Sequence, residues 1–364
     1  MALIFKKSQP FTLGVELELQ LLDPRSMNLV PQGPALLALI SEAERPRIKA
    51  EFIRSMVEIC TPVCADMEQV ADQLSRLCRR AEELAGQVGA CCHAASLHPF
   101  ALVKERHISP GLRYDEIMAD LQLAGRRMIT QALHVHVGVT SAATAIKVCD
   151  GVRAWLPLLL ALSGSSPLLE GEDTGFASYR TNLFGCLPRT GMPATLGSWN
   201  NFQDIIATLN KGSILSGIKE LWWDVRPHPD FGTVEIRICD LPSRFSHILG
   251  LTGLSQALVA WLAEEERQEE VPLAIINQSR WHAARYGLDG NWLGRKGHLP
   301  FSELVPQLLE KLQPLARELG SLSYLDGIRD ICAQGNSSSR QRQLLGEGLT
   351  PAAMIQQLRQ EFWS

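Results

Sequence analysis

The stretch "FTLGVELELQLLDP", residues 11–24, decides the fold. Phe11, Leu13, Val15, Leu17, Leu19 and Leu21 form an apolar row, while Thr12, Gly14, Glu16, Glu18 and Gln20 face the other way. Strict period-two alternation is the mark of a half-buried β-strand, not of a helix. Two carboxylates two residues apart on one strand face stand roughly 6.6 Å from each other. By itself this pair is better explained by a solvated face than by any function.

The same design recurs twice. "ALHVHVGV", residues 132–139, puts Leu133, Val135, Val137 and Val139 on one face and His134, His136 and Gly138 on the other. "FGTVEIRICDLP", residues 231–242, puts Val234, Ile236 and Ile238 opposite Thr233, Glu235, Arg237 and Cys239. A fourth segment, "IKAEFIRSMVEICTP" (residues 48–62), is rich in β-branched and apolar residues and reads as strand, in two pieces with a break near Ser55. It adds Glu51 and Glu58. Their seven-residue spacing puts them on opposite faces of an unbroken strand, so convergence requires a bulge or break there, or a helical segment instead.

Between these strands the periodicity changes. Met67, Val70, Leu74, Leu77, Ala81, Leu84 and Val88 recur at alternating spacings of three and four, an amphipathic helix with Asp66 as its N-cap. Further helices are expected over residues 114–129 and from about 140 to 162, the latter bent or broken near Pro157. Residues 164–193 are long, rich in Gly and Pro and poorly periodic, the kind of loop that is often functional. Beyond Ser246 the chain reads as mostly helical, with segments near 247–266, 302–319 and 351–362. Strands interspersed with helices, then helices, predict an α+β fold. No linker or repeat divides the chain, so residues 1–364 are expected to form one catalytic domain, strand-containing to about 245 and helical from about 246.

Composition narrows the function. The 364 residues are 46% hydrophobic with a formal net charge of −4, which supports a large core and gives no nucleic-acid footprint. The longest apolar run, "WLPLLLAL" at 155–162, is too short to span a bilayer, and Lys6 and Lys7 interrupt any signal-peptide core. Nine scattered cysteines without CxxC spacing read as reduced, mostly buried thiols. These features predict a cytoplasmic protein with neither membrane nor nucleic-acid partners.

If the apolar faces of all the strands pack on helices, their polar faces line one side of one sheet. Glu16, Glu18, Glu51, Glu58 and Glu235 would then repel one another, at roughly 2.4 kcal/mol for a pair about 7 Å apart in an effective dielectric near 20. Arg237 supplies a single compensating charge, so divalent cations are the economical solution. Carboxylates with one or two imidazoles suit Mg²⁺ or Mn²⁺ better than zinc, with His136 as the candidate nitrogen ligand and His134 a weaker one. A hydrolase using the same acids and the HxH pair fits the same residues. The chain has no GxxxxGK[ST], GxGxxG after a strand, HExxH or GxSxG.

With these residues in place, the sequence resembles the glutamate–cysteine ligase type 2 family, in its bacterial carboxylate–amine ligase branch. "FTLGVELELQ", "RSMVEICTPVC", "HPF" at 98–100, "HVHVGV", "FASYRTNLF", "WDVRPHPDFGTVEIRICD" and "RYGLDG" stand in the family's order. The segment before "HPF" reads "HAASL" where relatives are often glycine-rich. The resemblance implies a glutamine-synthetase-like curved antiparallel sheet whose concave polar face forms the active site, with helices on the other face. It implies ATP, Mg²⁺ (or Mn²⁺), and small carboxylate and amine substrates, glutamate and cysteine by default, in a chain that forms a homodimer. Carried over residue by residue, Glu16, Glu18, Glu51, Glu58, His136 and Glu235 match metal positions. Arg237 and Arg180 match arginines that meet the transferring phosphate. A member degenerated to an ATP-binding regulator would need an incomplete acid set, and here the set is whole.

Overall fold

The computed structural model describes residues 3–364 except 103–105, 216, 267–269 and 296. Its centre is a seven-stranded sheet: β1 (Leu13–Leu22), β2 (Ile48–Ala50), β3 (Met56–Cys60), β4 (Cys91–His93), β5 (Leu133–Gly138), β6 (Val225–His228) and β7 (Thr233–Ile236). The order is β6-β7-β5-β1-β3-β2, with β4 continuing along the β5 edge of β1, and every pairing is antiparallel.

The alternation seen in the sequence is what orients this sheet. Leu13, Val15, Leu17 and Leu19 of β1, Leu133, Val135 and Val137 of β5, and Val234 and Ile236 of β7 join one core. That core is covered by the Met67–Gln87 and Phe245–Glu264 helices. Asp66 caps the first of these by accepting the Gln69 N–H at 2.9 Å. The second, expected as a helix near 247–266, is the one helix among the described residues long and apolar enough to meet the length and composition of a membrane span. Its side chains from His247 to Ala260 are buried within the protein, so its apolarity all round is that of a central core helix.

The segment 48–62 is strand in two pieces, broken as expected before Met56, and the pieces form a hairpin: Ile48 pairs with Ile59 and Ala50 with Val57, so Glu51 falls in the reversal and Glu58 on the returning strand. Other expectations are refined or corrected. The helical stretch after Val139 breaks at Arg153–Trp155, giving helices Ala142–Val152 and Leu156–Ser163. Pro157 occupies the first turn of the second, where its missing N–H costs nothing. The helix expected over 114–129 runs Leu112–Arg126 and is kinked at Gln122. The alternation of the third strand ends after Ile236, since Ile238 and Cys239 are both in the core. Residues 164–193 are not an open loop. They contain a pairing of Leu168–Leu169 with Glu172–Asp173, the short helix Arg180–Gly185, and a strand, Thr190–Gly191, parallel to Trp222–Trp223.

Candidate active site

The polar face of the sheet is the floor of a cleft of about 1390 Å³, its open mouth included. Glu16, Glu18, Glu51, Glu58, His136, Glu235 and Arg237 all line it. Residues scattered over more than two hundred positions of chain meet because register aligns them. Glu16 lies opposite His134, His136 opposite Glu235, Glu235 opposite Arg226, and Glu18 opposite Glu58. Gly14 faces His136 without a side chain, which leaves the space above that position to the imidazole.

At the centre, Glu16 Oε2 accepts from His134 Nδ1 at 3.1 Å, and Glu16 Oε1 is 3.7 Å from His136 Nε2. His136 Nδ1 bonds the Thr233 hydroxyl at 3.0 Å, which turns Nε2 toward Glu16 and Glu235, the latter 3.9 Å away. That Nε2 is buried and has no hydrogen-bond partner. Glu235 is gripped by Arg226, whose Nε and Nη2 donate to its two oxygens at 2.6 and 3.0 Å, and by Arg237 Nη1. Arg226 also donates to the carbonyls of Ile218 and Leu221 and so is held in place on both sides.

The electrostatics divide the carboxylates into two groups. Burial alone would raise both Glu16 and Glu235. For Glu16 the His134 hydrogen bond and the nearby imidazoles of His134 and His136 prevail, and for Glu235 the charges of Arg226, Arg237 and His136 do, so each is held well below the usual range. Glu18 and Glu58 behave oppositely. Burial, with the neighbouring charge of Glu51 and of the other carboxylates, pushes Glu18 well up and Glu58 up to about 7. Lys49, 3.4 Å from Glu58 and 2.9 Å from Cys60 Sγ, only partly compensates. Burial and the Arg237 charge drive His134 down to about 4, whereas Glu235 and Glu16 outweigh burial and raise His136.

These observations fit a bound cation. Ligand atoms of Glu16, His136 and Glu235 lie within 4.8 Å of one another, close to the ~4.2 Å maximum between two ligands on an ion with bonds of about 2.1 Å. A second set, Glu16, Glu58 and Cys60, meets the same spacing, with Glu16 common to both. His136 Nε2, without a hydrogen-bond partner and aimed between Glu16 and Glu235, and the carboxylates of Glu18 and Glu58, raised by burial and by neighbouring charge, form a donor set that a divalent cation would complete.

Arg180 is placed differently from the expectation. It is absent from the lining of the main cleft and lies behind Arg237, 4% exposed, at the start of its short helix. Its guanidinium donates to the carbonyls of Arg237 and Ile238, both at 3.2 Å, and stands 3.8 Å from Asp240. Asp240 is in turn bonded by the hydroxyls of Ser166 and Ser178 and the N–H of Ser165. His98 is also structural: its Nε2 is 2.8 Å from the Met27 carbonyl, and Leu97 beside it is core.

The sequence reading missed Arg226, Lys49 and the far wall of the cleft. For Arg226 the signal was present in "VRPHPDFGTVEI", where a Gly-containing turn joins two alternating segments and puts Arg226 directly across from Glu235. Nothing local marked the wall, where Ile117, Leu121 and Met128 meet Phe184, Leu187 and Trp222.

Comparison with known proteins shows the family and the fold. The model of "Glutamate-cysteine ligase family 2" matches residues 12–357. A Gloeobacter violaceus protein named "Putative glutamate--cysteine ligase 2" is 36% identical over 98% of both chains. A Sorangium cellulosum protein of the same name is 38% identical over 91% of this chain and 90% of its own. Among solved structures, the Francisella tularensis glutamate–cysteine ligase in complex with AMP superposes with a TM-score of 0.73 at 13% identity, over 98% of this chain and 90% of that one. A bifunctional glutathione synthetase from Pasteurella multocida gives 0.71 at 13%, over 97% of this chain and 52% of that one. At such identities the structural likeness speaks for the fold.

Proposed function

The chain belongs to glutamate–cysteine ligase family 2, and from that premise we propose that it joins a carboxylate to an amine through an acyl phosphate formed from ATP. A carboxylate is a poor acyl donor at neutral pH, and phosphorylation replaces its oxide by a good leaving group. One carboxylate oxygen attacks the γ-phosphorus, and the bond from that phosphorus to the bridging oxygen breaks with its electron pair leaving on ADP. The lone pair of a neutral amine then attacks the acyl carbon, and the carbon–oxygen bond to phosphate breaks with its pair leaving on phosphate. The surplus proton on nitrogen passes to solvent, and the products are an amide, ADP and phosphate.

The protein's part is placement and charge. Mg²⁺ or Mn²⁺ held by Glu16, Glu18, Glu51, Glu58, His136 and Glu235 would neutralise the triphosphate and act as a Lewis acid at the group transferred. Arg237, with Nε unpartnered and Nη1 on Glu235, offers its remaining N–H groups to the phosphoryl oxygens. Arg226 keeps Glu235 ionised and oriented. Arg180 fixes the backbone on which Arg237 stands.

The observation that carries this reading is the convergence of five glutamates and three histidines beside Arg237 in one cleft. The test is an ADP-release screen of the full chain with ATP and Mg²⁺ across pairs of carboxylates and amines, beginning with glutamate and cysteine, the pair in the relatives' name. ADP formed only when both partners are present supports the reading. Amide hydrolysis without nucleotide, or no nucleotide use with any pair, overturns it.

A further inference from the structure

The geometry points to an amine substrate that carries a bulky apolar group, bound on the hydrophobic wall of the cleft, a conclusion that rests on the ligase reading above. The cleft is chemically two-sided. Its floor is carboxylate and imidazole, whereas Ile117, Leu121, Met128, Phe184, Leu187 and Trp222 form a separate hydrophobic cluster that lines the same cavity. Phe52 joins this cluster, and its ring meets the edge of Tyr114 with centroids 5.9 Å apart. The cluster is divided from the main core, and its Ile117, Phe184 and Trp222 stay partly exposed. Partly exposed aromatic and aliphatic side chains in a concave wall gain by covering with an apolar group. Glycine offers no side chain for this and cysteine only a small one.

Register locates the wall. Phe52 follows β2 at the end where Ala50 pairs with Val57 and Gln20 with Met56. Met128 precedes β5, and Trp222 precedes β6, whose first residue pairs with the last of β7. All therefore stand at the Gln20, Leu133 and Ile236 end of the sheet, the end from which Arg237 emerges. At the opposite end, where Thr233 pairs with Gly138, the rings of His228 and Phe231 stack in parallel, with centroids 4.2 Å apart and planes 7° from each other. Phe231 is 56% exposed there. A flat, exposed ring suits a planar nucleobase, whereas the rounded surface of Ile117, Leu121, Met128 and Leu187 suits an aliphatic or branched group.

The floor is the place for the phosphates and the carboxylate to be activated, since the donor atoms of Glu16, His136 and Glu235 gather there beside Arg237. That leaves the wall to the amine, which would lay its apolar group against it and turn its nitrogen toward the acyl carbon.

The experiment has two arms on the full chain with Mg²⁺. In the first, ADP release is measured with glutamate and each of glycine, L-alanine, L-cysteine, L-leucine and L-phenylalanine. A kcat/KM for leucine or phenylalanine at least about tenfold above alanine and cysteine is expected, the scale on which apolar pockets discriminate. Phe184→Ala and Ile117→Ser are expected to erase that preference while leaving the affinity for N-methylanthraniloyl-ATP unchanged. Equal or better use of cysteine overturns the inference, and so does a loss of ATP-analogue affinity in the variants, which would assign the wall to the nucleobase. In the second arm, calorimetric binding of the same amines is measured directly. Should no pair release ADP, the ligase reading falls, and the binding order still decides the wall: leucine and phenylalanine binding no tighter than glycine overturns it.

Discussion

Two buried arginines at this site carry different burdens, and substitution separates them. Arg237 contributes one of two cationic grips on Glu235, and Arg226 supplies the other with bidentate geometry. Removing Arg237 therefore leaves Glu235 paired, and the loss falls on the phosphoryl group. Arg237→Ala is expected to lower ADP release by ~10³-fold or more, as for arginines that stabilise phosphoryl transfer, while its thermal unfolding midpoint stays close to that of the parent. Near-normal turnover in this variant would remove Arg237 from the chemistry. Arg180 has no second copy of its role. Its loss strands the buried Asp240 carboxylate and frees the Arg237 and Ile238 carbonyls. Breaking a buried pair from one side costs about 3–5 kcal/mol, so Arg180→Ala is expected to shift the urea midpoint strongly. An unshifted midpoint would show that Arg180 anchors nothing.

At the scale of the element, the β6–β7 hairpin depends on Gly232. Its φ of +67° is in the left-handed region, and a Cβ there would come within 2.0 Å of the Lys6 carbonyl oxygen. Gly232→Ala is expected to destabilise the protein by more than about 1 kcal/mol, read as a lowered urea midpoint, and to weaken Mg²⁺ binding because Glu235 and Arg226 stand on that hairpin. A midpoint equal to the parent's would mean that the N-terminal segment moves aside freely. Elements differed in how plainly the sequence displayed them. β1, β5 and β7 were legible because each buries one face and leaves the other to the cleft, so Leu17 and Glu18, or Val135 and His136, alternate without exception. The Met67–Gln87 helix was legible for the matching reason at a period of 3.6. The Trp199–Lys211 helix carries an equally regular stripe, Trp199, Phe202, Ile205, Ile206 and Leu209, behind the Ser198 cap and was passed over; the Leu273–Tyr286 and Ser337–Gly346 helices were not read, since polar residues interrupt their apolar stripes and packing of distant segments stabilises them. The acid floor of the site was readable because register converts period-two spacing into convergence. The apolar wall was not, because Ile117, Phe184 and Trp222 reach each other only through tertiary folding, and Arg180 was matched by resemblance to a phosphate-contacting arginine, since nothing in its own segment shows the short helix and the carbonyls of Arg237 and Ile238 that hold it.

For the molecule as a whole, the site works against stability, and pH shows by how much. Glu18 and Glu58 bind protons more tightly folded than unfolded, since burial and neighbouring carboxylates raise them, Glu58 to about 7. The Glu58 contribution is fully present below the unfolded carboxyl value of about 4.3 and is lost as pH climbs through about 7, and Glu18 contributes with the same sign. Glu16 and Glu235 have the opposite sign: held below the usual range, they stabilise above about pH 4.3 and lose that contribution as acid protonates them. The metal-free protein is therefore expected to be most stable in mildly acidic solution and to weaken between about pH 5 and 8, the interval in which Glu58 would be forced to ionise beside Glu16 and Glu51. A divalent cation held by these carboxylates would reverse that slope, because it would bind their ionised form and displace their protons. Saturating Mg²⁺ or Mn²⁺ is expected to raise the thermal unfolding midpoint more at about pH 8 than at about pH 6, with protons released on binding, and Glu58→Gln should flatten both dependences. A midpoint that rises steadily with pH in chelator, or a cation effect that is the same at both values, would mean that the carboxylates on the cleft floor do not share the cation, and the metal assignment would fall with it.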